Sequence, residues 1–393
     1  MELRLKDDVK TYKKIELALK KSKELDQTAN MDLAAQNFSL IDCANEHWNP
    51  ENFSLLHGTA IWDQSTLAQR IKLNQLYWIA YYSQIISAEI ATIFYNQTSA
   101  AALYGLQDFR IVCDTLDLES AQERAHINVF QKISEQFELE VFGERIFSFP
   151  MRGPFVKTML FSDMNPFQEY WRKWQLKFYS LLSSGNAFIG CQYFMVRGLR
   201  TLNGKIVQHQ LSKYYSNHPD KDHSPIPSKV SYYHFIDESF HFNTSTVVSH
   251  DVLKSIAKPT AFESRIANMT LFGCQRDHFN FSTAINGIFW YDPALYPKIY
   301  KVLRSPVFGM EHQEALQAME KSFCEESQGA NQSFDTHKQS RESYKFYLSD
   351  IEYVSKKNKE MSLMSQNTLE RHLKVNRNEL KKFANGFNGK RDI

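Results

Sequence analysis

The stretch Leu76–Tyr95, LYWIAYYSQIISAEIATIFY, contains one acidic residue, Glu89, and no basic one. Its length would cross a bilayer, but a carboxylate at mid-bilayer is costly and no second run matches it. The sequence therefore predicts a helix, Ser65–Asn96, buried among other helices and capped by Ser65 or Asp63. Composition agrees: Gly (14) and Pro (11) are scarce in 393 residues, while 29 Phe and 19 Tyr supply a thick core. A net charge of +2 gives no bulk attraction to nucleic acid. The charged start, MELRLKDDVKTYKK, lacks the apolar stretch that directs secretion. The five cysteines show no CxxC or CxxH spacing and suit reduced thiols, so a cytoplasmic protein without a membrane span is expected.

A carboxylate buried in so much Ile, Tyr and Phe needs a partner, either an ion pair or a metal. Two further stretches offer the second. In Tyr233–Asn243, YHFIDESFHFN, His234, Glu238 and His241 follow at i, i+4 and i+7, within about 40° of one line along a helix. A helix over Asp114–Phe137 holds Glu123 and His126, one turn apart. The midpoint between Glu89 and the Glu123–His126 pair falls near Leu106, inside a turn around Gly105–Asp108. An antiparallel hairpin would bring all three side chains to one depth.

Four-helix bundles that hold two iron or manganese ions use a lone carboxylate from each of two helices and Glu-x-x-His from each of the other two. Glu123/His126 and Glu238/His241 supply both motifs, and Glu89 one lone carboxylate. Mirroring Glu238 across a loop centred near residue 215 points to Gln192, an amide isosteric with Glu, for the remaining place. Glu169, in QEYWRKWQLK, reads as solvent-facing. Glu119, one turn before Glu123, reads as solvated, as do His218 and His223. Tyr82, Tyr193 and Tyr233 read as packing, and His278 has no partner spacing. Asp237 is a candidate to orient a ligand histidine from another helix.

Three regions are expected: an N-terminal helix and connector packed on the core (1–64), a metal-binding helical domain (65–324), and a polar linker with a basic C-terminal helix (325–393). Residues 26–65 read as irregular, Phe142–Phe161 as a covering loop or hairpin, and Glu325–Arg341 as a linker. One helix opens at Pro166, kinks at Ser183–Gly185, and ends or bends at Asn203-Gly204. Ala261–Asn268, Phe281–Leu303 and Glu311–Phe323 read as helices, and Asn367–Arg391 as a basic amphipathic one.

Together these residues resemble the ferritin-like dimetal-carboxylate oxygenases. The added His234, giving His-x-x-x-Glu-x-x-His, is similar to the p-aminobenzoate N-oxygenases. Within that group the chain also resembles the cyanobacterial dimetal-carboxylate halogenases, over roughly Leu73–Thr246. The resemblance implies an all-α, ferritin-like four-helix bundle core with additional peripheral helices. It implies two Fe ions, with Mn as the alternative, held by Glu89, Glu123, His126, Gln192, His234, Glu238 and His241. Three carboxylates and three neutral imidazoles would place a charge near −3 against +4. The family has Glu where Gln192 stands. An amide there raises local positive charge and favours an exogenous anion, so chloride joins O2 as a candidate co-substrate. C–H halogenation, hydroxylation, desaturation and N-oxygenation of an amine stay open, on an apolar or aromatic small molecule or a carrier-bound acyl group. An external electron donor is implied and a homodimer is an open option. A non-catalytic metal-storage or scaffold protein is the reading from another class.

Overall fold

The longest helix begins where Thr66 accepts a hydrogen bond from the Gln69 backbone N–H while the Gln69 side chain accepts from Thr66 in return. This reciprocal cap displaces the expected ones, because Ser65 instead donates to the Ile61 carbonyl. No Gly or Pro interrupts the next 38 residues, so the helix runs to Gly105. At 1.5 Å per residue it is about 57 Å long.

In the computed structural model, residues 4–147, 166–278 and 287–388 are described. They form α1 (Val9–Glu24), α2 (Thr28–Gln36), α3 (Leu40–Cys43), α4 (Ala60–Gln64), α5 (Leu67–Tyr104) and α6 (Arg110–Phe142). After these come α7 (Pro166–Gly185), α8 (Ala187–Ser216), α9 (Ile226–Thr246), α10 (Ala261–Asp277) and α11 (Tyr296–Arg304). The chain closes with α12 (His312–Cys324), α13 (Gln328–Leu348), α14 (Lys356–Lys359) and α15 (Leu369–Asn388). There is no strand among the described residues, and no helix there is long and apolar enough to cross a membrane.

Two antiparallel hairpins, α5–α6 and α8–α9, make the core of an all-α, ferritin-like bundle. The first turns at 105–109, as the midpoint argument requires, and Asn96 bonds Glu119 across it at 2.9 Å. In the second, His209 stacks on Phe235 at 5.3 Å and Tyr215 meets Tyr232 at 5.2 Å. The hairpins are locked together by polar contacts that would be costly to leave unmade in an apolar core. The Trp78 indole N–H donates to Ser231 Oγ at 2.9 Å, and Ser99 Oγ donates to the Gly190 carbonyl at 3.1 Å. Trp78, Tyr82 and Phe130 form one aromatic layer, with ring centroids 4.5 and 4.2 Å apart along that order. Truncating such a ring to Ala costs roughly 3–5 kcal/mol.

The remaining helices wrap this core. α1 and α2 lie on α6 and α9, α10 and α13 on α8, and α4, α11, α12 and α15 pack on one another near the N-terminal end of α5. Several expectations are corrected. Residues 26–65 include α2, whose Met31, Ala34 and Ala35 are buried. The helix opening at Pro166 ends at Gly185, and Asn186 caps a separate α8 by accepting from the Ile189 N–H at 3.0 Å. α8 then runs unbroken through Asn203-Gly204, because Asn203 is buried and its amide donates to Ser340 and Tyr344 on α13. Most of Glu325–Arg341 belongs to α13, anchored by buried Ser333, His337 and Ser340. Within Phe281–Leu303, the helix proper is Tyr296–Arg304, and 281–286 lie outside the described residues. So do 148–161 of the expected covering loop.

Candidate metal centre

The cluster is assembled from three helices. Glu89 comes from the apolar middle of α5, Glu123 and His126 from consecutive turns of α6, and His234, Glu238 and His241 from α9. His126 and His234 are fully buried, and Glu89, Glu123 and His241 nearly so. Glu89 Oε1 lies 3.2 Å from His234 Nε2 and 3.8 Å from His126 Nδ1. Glu123 faces two ways, with Oε2 3.4 Å from His126 Nδ1 and Oε1 3.4 Å from His241 Nδ1. Glu238 Oε1 also spans two imidazoles, 2.8 Å from His241 Nδ1 and 3.6 Å from His234 Nε2. The donors fall into two groups, each with its atoms within 4.8 Å of one another: Glu89, His126, His234 and Glu238, and Glu119, Glu123 and His241.

Each histidine of a Glu-x-x-His pair is held by the residue preceding the opposite motif's glutamate. His126 Nε2 lies 3.0 Å from Asp237 Oδ2, and Asp237 in turn accepts from the Gln27 N–H at 3.0 Å. His241 Nε2 lies 2.9 Å from Gln122 Oε1. Both contacts leave Nδ1 turned toward the carboxylates, the orientation a metal ligand needs.

Electrostatics point the same way. Burial, aided by the charges of Glu123 and Glu238, holds the Glu89 carboxyl well above its ordinary range. For Glu123 burial is outweighed by His241 and His126, which hold it below that range. Burial disfavours charge on His126, yet its hydrogen bond to Asp237 and the nearby Glu123 carboxylate raise it to about 9. His241 is raised well above its ordinary value, burial being overcome by Glu238, Glu119 and Glu123. Burial pushes His234 down to about 3. Mutually repelling carboxylates are thus held together by protons on the neighbouring imidazoles and by the Arg197 guanidinium, a role divalent cations would share. Glu89 Oε2, Glu119 Oε2, Glu123 Oε2 and His126 Nδ1 are buried without a hydrogen-bond partner, which is what unfilled ligand atoms look like. The donor set, carboxylates with imidazoles, fits iron or manganese.

Gln192 is buried, but its amide is engaged elsewhere. Nε2 donates to the Tyr353 hydroxyl at 3.1 Å and to the Phe188 carbonyl at 3.4 Å. The reason is the turn. The loop between α8 and α9 spans 217–225, so its centre lies near 221 rather than 215, and the level of Glu238 on α8 falls well beyond Gln192. The residues α8 presents to the adjoining cavity include Arg197, Thr201, Gly204 and Gln208, and none of them is acidic. Arg197 is buried, ion-paired to Glu119, and reaches to 3.8 Å from Glu123 Oε1. Glu119 is therefore not solvated. It is buried beside the centre, and its position one turn before Glu123 was the signal for it. Tyr82 packs edge-on to His234 at 5.6 Å, whereas Tyr233 contacts Tyr232 and His278 contacts Tyr344. His223 is exposed and bonded to Asp220, and the Glu169 side chain lies outside the described residues.

A cavity of about 750 Å³ reaches the centre, lined at its inner end by Glu89, Glu123 and Glu238. Its walls include Tyr95, Tyr179 and Ile266, and its outer part Trp171, Trp174 and Phe178 of α7. These last three rings stack in sequence, with centroids 5.4 and 5.3 Å apart, and remain substantially exposed. Arg265 and Lys357 line it too and are exposed to solvent.

A family model described as "Acyl halogenase CylC-like" matches residues 10–384 of the chain. Neither the comparison with curated proteins nor that with solved structures returned a match.

Proposed function

The chain belongs to the CylC-like acyl halogenase family, and from that premise we propose that it is an O2-dependent dimetal enzyme, with iron as the metal, that replaces C–H by C–halogen on an apolar acyl chain. The observation carrying this reading is the meeting of two carboxylate–imidazole groups at the inner end of a largely aromatic cavity. Glu89, His126, His234 and Glu238 would hold one ion and Glu119, Glu123 and His241 the other, with Glu123 and Glu238 turned toward both. When bound, the ions supply the electrons that reduce dioxygen and open positions for oxidant and halide.

The protein's own part is arrangement. Asp237 and Gln122 fix the two imidazoles, so that ligand geometry is set before any ion or substrate arrives. The cavity would seat a flexible chain against its largely aromatic and aliphatic walls. The absence of an acidic residue on the α8 wall supports the halide reading, since an exogenous anion there meets Arg197 instead of a carboxylate. This moves the argument for chloride from Gln192 to the α8 face. Arg265 and Lys357 would suit the anionic end of the substrate, a carboxylate or the phosphate of a carrier-bound acyl thioester.

The test is turnover of carrier-linked and free acyl substrates by iron-loaded protein with O2, a reductant, and chloride or bromide, read by mass spectrometry. A product with the halogen isotope pattern is expected. An oxygenated product without halogen, under conditions that consume O2, would reject halogenation in favour of hydroxylation.

A further inference from the structure

The two hairpins repeat one frame, but the charges placed on it are not repeated. One donor group has Glu89, His126, His234 and Glu238, with a charged carboxylate, Asp237, behind His126. The other has Glu119, Glu123 and His241, with a neutral amide, Gln122, behind His241. Only the second group shares its carboxylates with a buried cation. The Arg197 guanidinium pairs directly with Glu119, is 3.8 Å from Glu123, and lies 3.5 Å from Asn96 Oδ1, which holds it in place. Glu119 and Arg197 cancel formally, so the second position has an anion fewer in effect and a fixed positive charge beside it.

We propose that the two metal positions are inequivalent, and that Arg197 makes the Glu119/Glu123/His241 position the weaker by competing with its ion for both carboxylates. Arg197 acts as a positioning residue on the centre. The inference rests on the dimetal reading above and adds an order to it: the Glu89/His126/His234/Glu238 position fills first. The second ion enters only by displacing the guanidinium from Glu119 or by tolerating it there. A buried arginine cannot relieve the conflict by losing its proton.

The experiment is an anaerobic titration of metal-free full-length protein with Mn(II). Free ion is followed by electron paramagnetic resonance and bound ion by elemental analysis, so no turnover is required. Wild type is expected to bind one equivalent tightly and a second at least tenfold more weakly, with the spin-coupled signal appearing only after the first equivalent. Arg197→Met is expected to narrow the gap to about threefold or less, and Arg197→Lys, which keeps the charge, to preserve most of it. Where Arg197→Met fails to fold, Arg197→Gln, which removes the charge but still offers Glu119 a donor, gives the same narrowing. Two equal sites in wild type, or an unchanged gap in the folded charge-free variant, would overturn the proposal while leaving the dimetal reading intact. Failure to bind any Mn(II) or Fe(II) would overturn both.

Discussion

Asp237 and Gln122 occupy equivalent places in the two Glu-x-x-His motifs yet differ by a full charge. Outer partners of ligating histidines commonly carry 10–100-fold of metal affinity, so Asp237→Ala should weaken metal binding by about that factor while leaving the fold intact. Calorimetric titration with Fe(II) under anaerobic conditions measures it, and unchanged affinity would show that His126 needs no support. The protons on His126 (raised to about 9) and on His241 must leave before an ion binds. Apparent affinity should therefore rise with pH toward about 9, with protons released on binding, and buffers of different ionisation enthalpy will report their number. At this scale the sequence was most legible where spacing carried the signal. Glu89, the two Glu-x-x-His pairs and His234 meet as their periodicity requires. Arg197 was invisible, because one arginine in an apolar helix has no spacing that marks it. Gln192 is hard to place by mirroring, because a six-residue shift in the turn centre moves the mirror position by about three helical turns.

The helices themselves explain which boundaries could be read. α5 and α6 are bounded by local chemistry, the Thr66–Gln69 cap and the left-handed Gly143 at φ +70°. Asn203-Gly204 carries the same local signs but lies inside α8, where tertiary hydrogen bonds to α13 overrule them. Residues 325–341 look like a linker in sequence for the converse reason. The inward face of α13 uses Ser333, His337 and Ser340 in place of aliphatics, so hydropathy does not reveal its burial. The α8–α13 contact depends on Gly198, since a Cβ there would overlap the Tyr347 phenol. Gly198→Ala should accordingly destabilise the protein by about 1–3 kcal/mol despite alanine's better helix propensity. Chemical denaturation checks this, and a neutral or stabilising effect would mean that Tyr347 can move aside freely.

Taken as a whole, the molecule buries several histidines away from the centre. Burial pushes His278 and His372 down to about 3 and His337 to about 4. Their unfolded pKa is near 6.5, so between there and the folded values the unfolded chain binds more protons than the native one. The contribution of these three histidines is then level above pH 6.5 and declines as pH falls toward 4. The difference in melting temperature between wild type and His278→Asn, both metal-free, should shift in favour of the variant on going from pH 7 to pH 5. A constant difference would contradict that assignment. The fold class was readable from one long apolar run and the scarcity of Gly and Pro. The cavity was not, because its walls come from α5, α7, α8 and α10 and only their packing defines it.

The central claim is that Glu89, His126, His234 and Glu238, with Glu119, Glu123 and His241, bind two ions together in the bundle core. Crystals of iron-loaded protein measured at the iron absorption edge test it most directly. Two anomalous peaks are predicted at the inner end of the cavity, with Glu123 and Glu238 turned toward both. A single peak, or iron bound only at sites remote from these seven side chains, would contradict it.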